Sequence, residues 1–201
     1  EESIEKLVHD DIEKGIQTIQ YQVVTLMTTN GQAPFITVFM NINEAEDEQT
    51  RKDLAACIEE VLKQRIQGVK NEAGVWVTPA FPKLIYVLTP ENNLSGGKYD
   101  YITELAIKCT AKRMYPDYVS EKIMKQNQDG NVYSYMGCRS LLPVWKDENG
   151  NAKFEGRFNQ GVVSINLPQI GIIANGDEEK FWKLLDERLE ICFEALMFRH
   201  K

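Results

Sequence analysis

Three of the four cysteines in this 201-residue chain lie where a small apolar residue belongs, and the fourth does not. Cys57, Cys109 and Cys192 share helical faces with Ile, Leu and Ala, and free cysteine is among the most buried residue types. Cys138 instead sits in Met136-Gly137-Cys138-Arg139-Ser140, between the turn-rich stretches 127–131 and 146–151. Gly137 permits a tight backbone turn there, and loops held between regular elements are where reactive groups concentrate. Cys138 is the leading candidate for chemistry, set against the plainer reading of an incidental loop cysteine.

A lone loop thiol has four chemistries open to it. As a hydrolytic nucleophile it needs a base, and the only histidines are His9 and His200, each near an end. As a metal ligand it lacks partners. The cysteine spacings are wide and irregular with no Cys-x-x-Cys, so neither a zinc site nor a disulfide framework is expected. As a redox thiol it has no resolving partner nearby in sequence. The fourth chemistry is hydrogen-atom transfer, in which the S–H bond breaks homolytically. That calls for an intact thiol in a dry pocket, and a depressed pKa brings no advantage.

The elements that must position this loop alternate between helical and extended patterns. Ile4, Leu7, Val8, Ile12, Ile16, Ile19 and Val23 recur at helical spacing. The β-branched and aromatic run 34–40 follows Asn30-Gly31 and predicts a strand. Leu54, Cys57, Ile58, Val61 and Leu62 predict a helix behind an acidic lead. Residues 83–89 are apolar on consecutive positions between Pro82 and Pro90, which suits a strand buried on both sides, as in parallel sheets. A helix is expected from about Tyr99 to Met114, with Ile102, Leu105, Ala106 and Cys109 inward, and a weaker extended stretch over 119–124. Beyond the cysteine loop, 161–167 predicts a third good strand. Asp177 then caps a long helix that buries Phe181, Leu184, Leu185, Cys192, Ala195 and Leu196. This alternation implies a mostly parallel α/β sheet, open or barrel-like.

Composition sets the outer limits. Hydrophobic residues make up 43% and charged residues 26%, ordinary for a soluble globular protein. A net charge of −7 argues against a nucleic-acid surface, which relies on clustered Lys and Arg. No apolar run approaches the roughly 18 to 20 residues that span a bilayer, so no membrane partner and a cytoplasmic location are expected. The chain opens without Met in a helical pattern and stops with an apolar period still running. It reads as one segment, residues 1–201, cut from a longer protein at both ends.

Several segments resemble the anaerobic, glycyl-radical class of ribonucleoside-triphosphate reductase. They are Asn30-Gly31-Gln32-Ala33-Pro34-Phe35, the Met136–Ser140 run, Gly156-Arg157-Phe158-Asn159 leading into 161–168, and 181–189. The resemblance is ordered and covers nearly the whole chain. It implies part of a ten-stranded α/β barrel of two parallel half-sheets, with a finger loop threading the interior and Cys138 at its tip. In that family a glycyl radical near the C-terminus oxidises this cysteine to a thiyl, which removes the ribose 3′ hydrogen of a nucleoside triphosphate and labilises the 2′ hydroxyl. A thin loop of this kind delivers one sulfur into a barrel that excludes water and oxygen, and a residue bulkier than Gly137 is expected to crowd the tip.

The remaining site residues divide between two readings each. Asn159 is either an amide lining the substrate pocket or a turn cap after Gly156. Asn166 could face the barrel interior, but alternation alone does not fix its direction. Arg139 is read as bracing the loop, since a positive charge beside the sulfur would promote the thiolate. The glycyl radical and the family's zinc site are expected outside this segment, with no cofactor or metal bound within it.

By the same resemblance the complete protein takes ribonucleoside triphosphates, nucleotide effectors (ATP among them) and a radical-SAM activating enzyme, and forms a homodimer. The segment alone should be inactive. Two alternatives stand beside this reading: another glycyl-radical enzyme of the pyruvate formate-lyase type, and a non-catalytic effector-binding or dimerisation module.

Overall fold

The structure is a computed structural model that describes residues 2–27, 29, 31, 33, 35–137, 140–157 and 161–200. It divides into two compact units, residues 1–153 and 154–201. The first opens with α1 (Glu2–Thr25), β1 (Thr37–Met40), a 3₁₀ turn (Ile42–Glu44) and α2 (Glu48–Gln67). The short hairpin β2 (Val69–Lys70) and β3 (Trp76–Val77) leads to β4 (Lys83–Leu88), α3 (Pro90–Asn93) and α4 (Asp100–Arg113). Then come β5 (Asp117–Ser120), α5 (Glu121–Asn127) and a second hairpin, β6 (Trp145–Lys146) with β7 (Ala152–Lys153).

β1, β4 and β5 form a parallel sheet in that order, with β4 in the centre. The consecutive apolar positions of β4 are thus explained: Leu84, Ile85, Tyr86 and Val87 are all buried, two on each face. One face carries α2 and α4. Met40, Leu84 and Tyr86 meet Ile58 and Leu62 of α2 and Ile102, Ala106 and Cys109 of α4 there. Leu62, Ile102, Ala106 and Cys109 are wholly inaccessible to solvent. Each full-sized aliphatic side chain in such a position stabilises the fold by roughly 1.5–3 kcal/mol. Burial also pushes the Cys109 thiol up to about 11 and the Tyr86 phenol up to about 12.

Local chemistry sets the helix ends. Asp47 accepts from the backbone N–H and hydroxyl of Thr50 (2.9 and 2.6 Å) to start α2. Gly68 ends it at φ 84, where an added Cβ would stand 2.5 Å from the carbonyl oxygen of Val77. Arg113, in the last turn of α4, donates to the carbonyls of Ile66 and Gln67 (3.0 and 2.6 Å), so the two helices that share the core are also joined at their ends.

Two expectations change. The extended stretch 119–124 is extended only to Ser120, which caps α5 by accepting from the N–H of Ile123 (3.4 Å). The strand expected over 161–167 does not form. Residues 161–166 carry no regular secondary structure, and helix α6 (Leu167–Ala174) begins at the last of the run. Asn166 caps it by accepting from the N–H of Gln169 (3.1 Å), and Pro168 occupies the first turn, where a missing N–H costs nothing. Cap and proline outweigh the β-branched run.

Within the second unit α6 packs against α7 (Glu178–His200). Asp177 caps α7 as expected, accepting from the N–H of Lys180 (3.0 Å). The expected stripe is half-buried at Phe181, Leu184, Leu185, Cys192 and Leu196, while Ala195 is exposed.

Candidate functional site

The face of the sheet opposite α2 and α4 is covered differently. Phe39, Ile85 and Val119 meet Met124 of α5 and then two residues of the following loop, Val132 and Tyr135. A side-chain-bonded bend precedes the crossing. Asn131 donates to the carbonyls of Gln128 (3.0 Å) and Asp129 (3.2 Å). Tyr133 is buried; its N–H donates to the thioether of Met124 (3.3 Å), and its hydroxyl lies 2.6 Å from both the Gln128 side-chain oxygen and the carbonyl of Leu142. The loop is thereby tied to α5 at one end and across its own width.

Past Tyr135 the loop closes into a narrow turn. Met136 and Ser140 form an isolated antiparallel bridge, with N–H to carbonyl distances of 2.8 and 3.1 Å in the two directions. Between these partners in sequence lie Gly137, Cys138 and Arg139. Gly137 adopts φ 63, a left-handed conformation that costs an L residue roughly 1–2 kcal/mol. A Cβ there would meet Cδ1 and Cε1 of Phe35 at 3.8 Å, ordinary contact, so the positive φ is the constraint the structure shows at this glycine.

Phe35 is itself supported. Its ring stands edge-on to Phe81, centroids 4.7 Å apart at 67°. The backbone N–H of Lys83 donates to the carbonyl of Ile36 (2.8 Å), joining the segments that lead into β1 and β4 beside this pair. Phe81 lies between two carbonyls that the buried Arg65 guanidinium holds, Pro79 (2.8 Å) and Pro82 (2.5 Å). Arg65 also sits 4.8 Å above the Tyr115 ring. Burial lowers its pKa, and the carbonyls and ring stand in for a carboxylate.

Of the residues singled out from sequence, Cys138, Arg139 and Asn159 lie outside the described residues. Gly137 belongs to the first unit and Asn166 to the second. Asn166 borders a cleft of about 300 Å³ lined also by Ser164, Gln169, Arg188 and Cys192. Sequence reasoning missed Phe81, Arg65 and Tyr133. Nothing local marks them, although Phe35 closed one of the quoted motifs. Among the described residues no cluster of three or more His, Cys, Asp or Glu side chains could hold a metal, and no helix is long and apolar enough to cross a membrane.

Fold and loop together define an α/β protein whose parallel sheet has α2 and α4 on one face and, on the other, α5 with the loop that follows it. The family model described as anaerobic ribonucleoside-triphosphate reductase matches residues 2–201. The chain is 41% identical over 188 residues to the anaerobic ribonucleoside-triphosphate reductase of Escherichia coli K12, covering 92% of this chain and 25% of that protein. It is 40% identical over 195 residues to that of Enterobacteria phage T4 (94% and 31%), and 39% identical over 196 residues to that of Haemophilus influenzae (96% and 26%). This chain belongs to the anaerobic ribonucleoside-triphosphate reductase family, and it spans 25–31% of the length of these relatives.

Proposed function

We propose that this chain is part of the catalytic barrel of an anaerobic ribonucleoside-triphosphate reductase, an oxidoreductase, with Cys138 as the residue that becomes the thiyl. One observation carries the reading in the structure. The loop that precedes Cys138 in sequence places Val132 and Tyr135 on the sheet face opposite α2 and α4, and Met136 and Ser140, which flank Cys138 in sequence, are bridged. β1, β4 and β5 are then part of one half-sheet of the ten-stranded barrel, and the loop-covered face is its interior.

The residues present suit hydrogen-atom chemistry. Phe39, Ile85, Val119, Val132 and Tyr135 give the loop's crossing an apolar lining. A glycyl radical carried outside residues 1–201 supplies the oxidising equivalent, and the family's zinc also belongs to that outer part. Cys138 gives up its thiol hydrogen atom, and the thiyl takes the 3′ hydrogen of the ribose, forming S–H as C–H breaks. The 2′ hydroxyl departs as water with one added proton. An external reductant, formate or a thiol protein, supplies two electrons and a proton, and Cys138 returns the 3′ hydrogen atom. Arg139 braces the loop, and Asn159 and Asn166 are the amides proposed to face substrate hydroxyls. The complete enzyme acts in the cytoplasm as a homodimer, on ribonucleoside triphosphates, with nucleotide effectors and a radical-SAM activating enzyme.

Cys138→Ser in the complete enzyme tests this. Turnover is expected to vanish while effector binding and dimerisation persist. Retained turnover would refute the assignment and favour a non-catalytic binding role for this region.

A further inference from the structure

Phe35 and Gly137 are far apart in sequence, and the structure puts the Phe35 ring beside Gly137. We infer that Phe35, backed by Phe81, is a positioning residue that seats the turn carrying Cys138. The inference rests on the thiyl reading of Cys138.

Three observations carry it. First, the Phe35 ring lies beside Gly137, on the side where a side chain there would begin: a Cβ built at Gly137 would stand 3.8 Å from both Cδ1 and Cε1. Second, Phe35 cannot retreat freely, because Phe81 stands edge-on at 4.7 Å and the buried Arg65 fixes the carbonyls on either side of Phe81. Third, Phe35 remains 60% exposed, so it adds little to the hydrophobic core. An aromatic ring that contributes little to folding but backs the turn of a reactive loop is placed to fix position. Hydrogen-atom transfer requires it, because misplacing the reacting atoms by about 1 Å costs on the order of a hundredfold in rate.

The test uses the complete enzyme and four variants: Phe35→Ala, Phe35→Leu, Phe35→Tyr and Cys138→Ser. One readout needs no activity: the rate at which iodoacetamide alkylates Cys138 in unactivated protein, followed by mass spectrometry with buried Cys109 as the internal reference. Phe35→Ala should raise that rate at least threefold and leave Cys109 slow. In activated enzyme the same variant should lower kcat at least tenfold, with KM within twofold and the glycyl-radical EPR signal undiminished. Phe35→Tyr should restore both readouts. Unchanged alkylation with kcat within twofold of wild type would overturn the positioning role. If Phe35→Ala loses effector binding, Phe35→Leu is judged by the same two criteria. Turnover by Cys138→Ser would instead overturn the thiyl reading beneath it, an outcome distinct from failure at Phe35.

Discussion

The two faces of one parallel sheet are built for different ends. Alternate residues of β4 serve both: Leu84 and Tyr86 face α2 and α4, whereas Ile85 faces α5 and the loop. On the helix face the partners are long, regular helices whose inward side chains are buried, so their contacts are collective and any one deletion leaves a void that rigid helices do not refill. On the loop face the partners are a few side chains from an irregular segment, Val132 and Tyr135 among them, held by hydrogen bonds of Tyr133 and Asn131. One face supplies stability, and the other places a turn.

Breaking each face should separate those roles. Leu62→Ala, on the helix face, should lower the unfolding free energy of the chain by about 3 kcal/mol in urea denaturation. Val132→Ala, on the loop face, should lower it by about 1 kcal/mol, yet reduce turnover of the complete enzyme more than Leu62→Ala does. A larger stability loss at Val132 would erase the distinction. Arg65→Met tests the link between the faces, since Arg65 lies on the core helix α2 and its guanidinium fixes the carbonyls around Phe81. Leaving those carbonyls unpaired should cost about 2 kcal/mol and speed alkylation of Cys138, the same direction expected of Phe35→Ala.

Gly137→Val should cost about 1–2 kcal/mol through backbone conformation alone. Gly137→Asn should cost less, because Asn tolerates the left-handed region. Equal losses for the two would point to crowding after all.

The smallest effect is a pH dependence confined to the helix face. Cys109 and Tyr86 are both acids whose pKa is raised by burial, from 9.0 to about 11 and from 10.0 to about 12. The folded state therefore holds these protons where the unfolded chain has released them. Their stabilising share is complete below about pH 9 and is lost as pH rises towards 11 and then 12. In Cys109→Ala the decline in urea midpoint between pH 9 and 11 should become shallower. An unchanged slope would mean that other groups control alkaline unfolding.

Much of the helix face was legible in the sequence. The i, i+3, i+4 pattern in 54–62 and 102–109 names the residues that reach the core, and the proline-bounded run 83–89 names the central strand. The loop face was less legible. β5 is four residues long, too short for a strong period, and its alternation is soon overtaken by the Ser120 cap. The run 161–167 misled for a related reason. Its β-branched residues speak for a strand only if a neighbouring strand is available to pair, and none among the described residues does so; the Asn166 cap and Pro168 act locally and decide for helix.

The sequence by itself determined the alternation of helix and parallel strand and the identity of the core stripe. These follow from periodicity and residue type, which act over a few positions. The tertiary structure alone decided that the loop after α5 takes part in covering the face opposite α2 and α4, that Gly137 comes beside Phe35, and that Arg65 fixes the segment around Phe81. Those contacts join residues distant along the chain, and no local pattern encodes which distant surfaces will meet once the hydrophobic faces have been buried.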